Sequence, residues 1–488
     1  MVDTNGKHYS QLALTLTLVL GTFCTALTTN MLVTAYPTLM STFSISSATV
    51  QWLTTGFLLV MGIMIPVSAW LLNNFSLRLI YMAALSCFLI GLIVSYTAPN
   101  FQLILAGRLI QAIGIGITFP TIQTVLLVIY PPEKRGTMMG VGGIVIGLAP
   151  ALGPTVSGWI LDNANWRDLF GMMIPPVAIV LLIAAFTVKP VIPLKKSPID
   201  GWAIALSTIG FGSLLYGFSS VGEHGWTSPI VIISLIVGLI FIAGFVRREW
   251  PQKEPLLNIR LLKIPSFTIA SMITALANTA MIGIQVVLPM YLQNVRGLSP
   301  LQSGLMILPG VLLYGLISLI SGRAYDLIGG RRLALMGMFL LTLGTLPFAM
   351  LTRHTPYPDI IMEYTILMSG VALVAMPLTA ASSVDLRGIQ LSHGTAINST
   401  MRQIMTSMGT AVLGSVLTNV SNAAQPAKHL LTSAPLAYQD AAYNAAMRGF
   451  HAAFLVATVL GLLGLVFAAL VKRPTQGGNP HDLNLIGA

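Results

Sequence analysis

Two arginines stand inside long apolar stretches, where a cation is costly. Arg108 lies within 102–130 with Gln111 one helical turn on, and Arg402 lies within 395–420. A guanidinium at such depth has to face a cavity, a partner or backbone carbonyls. Acids are scarcer still. Glu363 is inside 360–384 near its start, Asp385 and Asp168 are near span ends, and Glu223 precedes His224 on a loop. No Asp or Glu falls at the centre of a predicted span. This pattern suits the passage of polar groups through an apolar matrix better than the making of bonds. A membrane-embedded enzyme needs clustered histidines, a Ser/His pair or paired aspartates, and the seven histidines here are dispersed. An ATP-driven pump needs Gly-x4-Gly-Lys-[Ser/Thr], which the chain lacks. Cys24 and Cys87 both fall in apolar runs, where a thiol behaves as a small hydrophobe, so neither a metal nor another cofactor is expected.

The elements that must position these residues are transmembrane helices. The chain is 55% hydrophobic and 8% charged over 488 residues, against roughly 25% charged residues in soluble domains. Apolar runs near 20 residues recur from end to end, each long enough to cross about 30 Å of hydrocarbon. The predicted spans are 11–36, 50–72, 79–98, 102–130, 137–161, 169–188, 201–219, 229–247, 266–292, 302–321, 333–351, 360–384, 395–420 and 450–471. The fold class is therefore an all-α polytopic membrane protein with fourteen helices. The first span is too long for a signal-peptide core and lacks an Ala-x-Ala exit, so it is expected to be retained.

The net charge of +11 is explained by placement. With both termini cytoplasmic, eighteen of the 25 Lys and Arg, among them Lys7, Lys134, Arg135, Lys195, Lys196, Lys253, Arg331, Arg387, Lys472 and Arg473, fall on the inner side. Lys428 and four others fall outside. This is the positive-inside rule, with some cations reaching anionic lipid heads, and no nucleic-acid partner is implied.

At an offset near 250 residues the chain resembles itself. Gly322-x3-Asp326-x2-Gly329-x-Arg331, followed by Arg332, matches a degraded first copy that runs from Ala69 to Arg78 with Asn73 in place of the acid. A second echo pairs Arg135-Gly136-Thr137 with His393-Gly394-Thr395. Two six-helix halves follow, 1–190 and 259–488, with helices 7 and 8 inserted between them over 191–258. Parallel repeats place a substrate path between the halves near the bilayer midplane. In helix 5, Gly143, Gly147, Ala149, Gly153 and Ser157 form small-xxx-small steps for close helix approach, and Pro150 and Pro154 bend the segment.

These motifs, in this order, resemble the major facilitator superfamily, and within it the fourteen-helix drug:proton antiporters of the EmrB/QacA type. The likeness covers nearly the whole chain. It rests on the loop at Gly322, Asp326, Gly329 and Arg331, on Ala106-Gly107-Arg108-Leu109-Ile110-Gln111 in helix 4, and on Gly143-x3-Gly147-x2-Pro150-x2-Gly153-Pro154 in helix 5. The resemblance implies a secondary active exporter of small amphipathic or drug-like compounds. It would work by proton antiport and alternating access, multi-pass in the bacterial inner membrane and monomeric. A dedicated exporter of one metabolite or lipid is the alternative. An enzyme or receptor is not favoured.

The resemblance also implies residue roles. Arg108, Gln111, Thr28, Asn30, Glu363 and Arg402 become candidates for the substrate path or proton coupling. Asn73, Arg78, Asp326, Arg331 and Arg332 become a gating latch, weaker in the first half because an amide lacks the Coulomb attraction of an acid. Bland alternatives stay open for each: a snorkelling or hydrogen-bonding arginine, an interfacial Glu363, a tight glycine turn, and helix-1 hydroxyls bonded to their own backbone. Many family members carry an aspartate in helix 1 where this chain has Thr28, followed by Thr29 and Asn30. A Thr hydroxyl cannot titrate near neutral pH, and the substitution is also seen in the lincomycin-resistance branch.

Overall fold

The computed structural model describes residues 6, 8–194, 200–252, 254–386, 388–426 and 435–471. Lys7, Lys195, Lys196, Lys253, Arg387, Lys428, Lys472 and Arg473 lie outside them, as do the outermost residues of both termini.

The described chain is a set of helical rods running back and forth. The first half comprises α1 (Gln11–Phe43), α2 (Ser47–Asn74), α3 (Leu77–Thr97), α4 (Phe101–Ile129), α5 and α6 (Asp168–Thr187). Three segments in series make up α5: Pro132–Gly143, a π turn Ile144–Leu148, and Ala149–Asn163. Next come α7 (Gly201–His224) and α8 (Pro229–Glu249). The second half comprises α9 (Pro265–Asn294), α10 (Pro300–Ile328), α11 (Gly330–Thr345), α12 (Tyr357–Ser382), α13 (Gln390–Ala423) and α14 (Pro435–Leu470). Polar residues just outside the apolar runs start several of them. Ser46, Ser76, Asn100 and Asp200 each accept the amide three residues on, and Ser299 with Gln302 forms a capping box, satisfying amides that have no partner within the helix.

Among the described residues, twelve helices are long and apolar enough to cross a membrane. The rods α5 and α13 are not among them. A π turn splits α5, and α13 carries Ser392, His393, Thr395, Asn398, Thr400 and Arg402 in its first half. Several boundaries also differ from the expected spans, three of them with structural consequences. The helix of α1 ends at Leu27 and resumes as a 3-10 turn at Met31. The rod α13 begins at Gln390, and α14 begins at Pro435, because the Ala-rich stretch 435–449 extends the helix into a segment whose polarity suggests a loop.

Buried side chains gather in separate cores. One, built around Tyr291, Tyr364, Phe450 and Phe454, belongs to the second half. A smaller one in the first half surrounds Phe88, Trp166 and Phe170. The largest joins α1 to α4 with the 256–267 segment and the start of α13. Between the halves, α5 runs along α10 and α2 meets α13. The rod α7 packs against both α2 and α13, and α8, the least buried of the twelve, packs on α7.

Candidate transport path and gate

The break in α1 and the arginine of α4 explain each other. Where the helix stops at Leu27, the carbonyls of Thr28 and Thr29 lose their places in a regular ladder. Arg108, fully buried, donates from Nη1 to Thr28 O at 3.3 Å, from Nη2 to Thr29 O at 3.4 Å, and from Nε to Leu53 O of α2 at 3.4 Å. Its Nη1 also donates to Gln111 Oε1 at 3.0 Å, and Gln111 Nε2 donates to Ser95 Oγ at 3.2 Å. The Phe57 ring lies 3.9 Å from the guanidinium carbon. A charge with no carboxylate beside it is thus held by carbonyl dipoles and a π face. Thr28 spends its own hydroxyl on Thr25 O at 2.9 Å, and Thr25 on Thr22 O at 3.0 Å. The Thr22 and Thr29 hydroxyls are buried without a hydrogen-bond partner.

The same break receives α5. Pro154 has no N–H, so the carbonyl of Pro150 is free to accept elsewhere. It accepts from Asn30 Nδ2 at 3.3 Å. Gly153 sits against the α1 backbone, where an added Cβ would stand 2.8 Å from Leu27 O. On the facing side, a Cβ at Gly147 would strike the buried ring of Tyr314 on α10. The glycines of α5 are therefore where α1 and α10 press closest. Arg402 is half-buried on α13.

Hydrogen bonds between the halves cluster at one end of the rods. Asp326, near the end of α10, accepts from the amides of Gly136 and Thr137 at 3.1 and 3.0 Å and from Thr137 Oγ1 at 2.7 Å. A carboxylate on the first turns of α5 meets the positive end of that helix. Gly322 and Gly136 allow the approach, since a Cβ at 136 would lie 2.6 Å from Gly322 O. Ser318 Oγ donates to Gly140 O at 3.0 Å. In the counterpart, Asn73 at the end of α2 meets the start of α13, with Ser392 Oγ at 2.9 Å and His393 Nε2 at 3.2 Å. Thr124 and Thr395 share a hydroxyl contact of 2.6 Å. The two sequence echoes thus meet crosswise, each repeat's loop docking on the other's helix start. Asp326 is held by α5 rather than by the arginines of its own loop. Arg331 is half-buried at the start of α11, and Arg332 and Arg78 are exposed.

At the opposite end, Glu363 lies six residues into α12, about 9 Å from its start. Its Oε2 is buried without a hydrogen-bond partner. Nearby in sequence depth, α2 and α7 border an open cleft of 180 Å³ lined by Trp52, Tyr216, Glu223 and His224, with Trp52 stacked on Tyr216 at 5.7 Å. Sequence reasoning missed His393 as a contact between the halves and Tyr314 as the partner of Gly147. The second echo marked the position of His393 without its partner.

Two helical halves touching across repeated loops are the architecture of a membrane transporter. The Major Facilitator Superfamily profile matches residues 18–410, and the chain belongs to that family. It is 42% identical over 459 residues to the uncharacterized MFS-type transporter YcnB of Bacillus subtilis, covering 94% of each chain. It is 35% identical to the lincomycin resistance protein LmrB of the same organism, over 97% of this chain and 99% of that one. The human organic anion transporter MFSD10 shares the fold at a TM-score of 0.67 and 16% identity, with 94% of this chain and 100% of that chain covered.

Proposed function

We propose that this chain is a secondary active exporter of small amphipathic, drug-like compounds, driven by proton antiport through alternating access. The observation that carries the reading is the clustering of contacts between the halves at one end, at Asp326 with α5 and Asn73 with α13. Contacts confined to one end make that end a gate, closed in this arrangement and open in the other. The resistance name of LmrB favours an antibiotic-like cargo.

In this reading the chain crosses the bacterial inner membrane fourteen times, α5 and α13 included, with 1–190 and 259–488 as the two bundles and 191–258 as the insertion. Both termini and the gate described above are cytoplasmic, because that orientation places most cations inside. Polar side chains of α5 and α13 belong in the middle of such a bundle, facing the path instead of lipid. Arg108 and Gln111 fix the α1 break, Arg402 and Tyr314 border the path, and Glu363 carries the proton.

Uptake of lincomycin and ethidium into inverted vesicles, with and without an imposed proton gradient, tests this. Gradient-dependent uptake that a protonophore abolishes is expected. Glu363→Gln should lose that dependence and still bind the cargo. No gradient-dependent uptake of either compound would overturn the export reading, and normal uptake by Glu363→Gln from about pH 6 to 8 would remove Glu363 as the carrier.

A further inference from the structure

His393 is hydrogen-bonded on both ring nitrogens, and the chemistry of those bonds fixes its state. The amide of Asn258 donates to Nδ1 at 3.4 Å, so Nδ1 has a lone pair and the neutral ring carries its proton on Nε2. That N–H needs an acceptor, and the group 3.2 Å away is the side-chain amide of Asn73. Turning this amide so that its oxygen faces Nε2 satisfies every group at once. Its NH2 then donates to Ser392 Oγ, whose own hydrogen goes to Ile389 O at 2.8 Å. His393 is buried, and so are Asn73 and Ser392. One ring therefore joins three parts of the chain: the first half through Asn73, the second half through α13, and the segment after α8 through Asn258.

That segment is firmly pinned to the inserted helices. Asp200, which caps α7, pairs with Arg248 at 2.7 Å and accepts from Gln252 at 2.8 Å. The Leu257 amide donates to Glu249 Oε2 at 3.2 Å, Arg260 Nε donates to Trp250 O at 2.8 Å, and Lys263 lies 4.6 Å from the Trp250 ring centroid. Asn258 is thus presented to His393 by a braced loop.

We propose that the 254–263 segment is a working part of the gate. It positions His393, as the Nε2–H tautomer, on Asn73, and through it the inserted helices α7 and α8 bias the transporter toward the state in which this gate is closed. The inference rests on the alternating-access reading only in taking the two halves to separate at this end.

The backbone offers a clean test. Asn258 has φ −75°, which proline adopts without strain, so Asn258→Pro deletes the donating N–H. His393→Gln reaches Asn73 but cannot accept from Asn258, and should behave like Asn258→Pro. Spin labels on cysteines placed at Leu79 and Val384, both exposed on opposite halves at the gate end, report its opening in nanodiscs without any substrate. The expected result for each variant is a shift of roughly fivefold toward the long-distance population, the size that one lost hydrogen bond gives. Combining the two variants should add nothing further. His393→Asn keeps the acceptor for Asn258 and loses Asn73, so it should open the gate by its other arm. An unchanged distance distribution in both Asn258→Pro and His393→Gln, or a double variant whose shift is the product of the two single shifts, would overturn the proposal. Because the readout needs no cargo, its failure is separate from a failure to export lincomycin or ethidium.

Discussion

Arg108 shows how a single side chain can serve architecture and function together. Its donors hold the carbonyls of Thr28, Thr29 and Leu53 and the amide oxygen of Gln111, and the arginine side chain itself is fully buried. Truncation to Ala strips those acceptors of their donor, at about 1–3 kcal/mol for each buried polar group left bare. Arg108→Ala should therefore lower the melting temperature in detergent and abolish transport together. Arg108→Lys keeps the charge and loses the planar fork that reaches several carbonyls at once. It should melt between wild type and Ala, and a Lys variant as stable as wild type would show that charge alone holds the break.

For the helices, the unequal loops decide the next expectation. Asp326 places a charged acceptor on two amides and a hydroxyl of α5, whereas Asn73 makes neutral bonds to Ser392 and His393. Hydrogen bonds to an ionised group are roughly twice as strong as neutral ones. Asp326→Asn should thus reduce turnover of vesicle uptake several-fold more than Asn73→Ala at equal expression, with little change in the half-saturating concentration. Equal losses would mean that the two contacts are energetically alike. The arginines of the loop, expected to pair with the acid, instead leave it to the positive end of α5. A helix N-terminus does the work of a cation there, and no spacing rule in the loop itself reveals that.

Across the molecule, the two inserted helices are held to each other at one end by a clamp whose strength depends on pH. The Arg248 guanidinium, with Gln252 and the Ala203 amide, holds the Asp200 carboxyl down to about 2 from its ordinary 3.8. A carboxyl depressed in the folded state contributes stability that is complete above its unfolded value and is lost as pH falls through the folded one. Melting of wild type against Asp200→Asn should differ by a constant amount above about pH 4 and converge toward pH 2. A difference that varied between pH 5 and 8 would place the relevant titration elsewhere.

Much of this was legible in the chain itself. Runs of apolar residues near 20 long set the rods, since backbone groups in lipid must bond within their own segment. The offset of 250 residues exposed the two copies, and the glycines and prolines of α5 announced a bent, closely packed helix. Several features were decided only by tertiary packing. That Pro150 O meets Asn30, that Tyr314 fills the space left by Gly147, and that Asn73 and Asp326 reach across to the opposite half are contacts between residues over a hundred positions apart. Local pattern reports which face of a helix is apolar, but not which distant helix it meets. The isolated Arg108 makes the same point. The sequence required it to find a partner, and only the folded break in α1 made backbone carbonyls that partner.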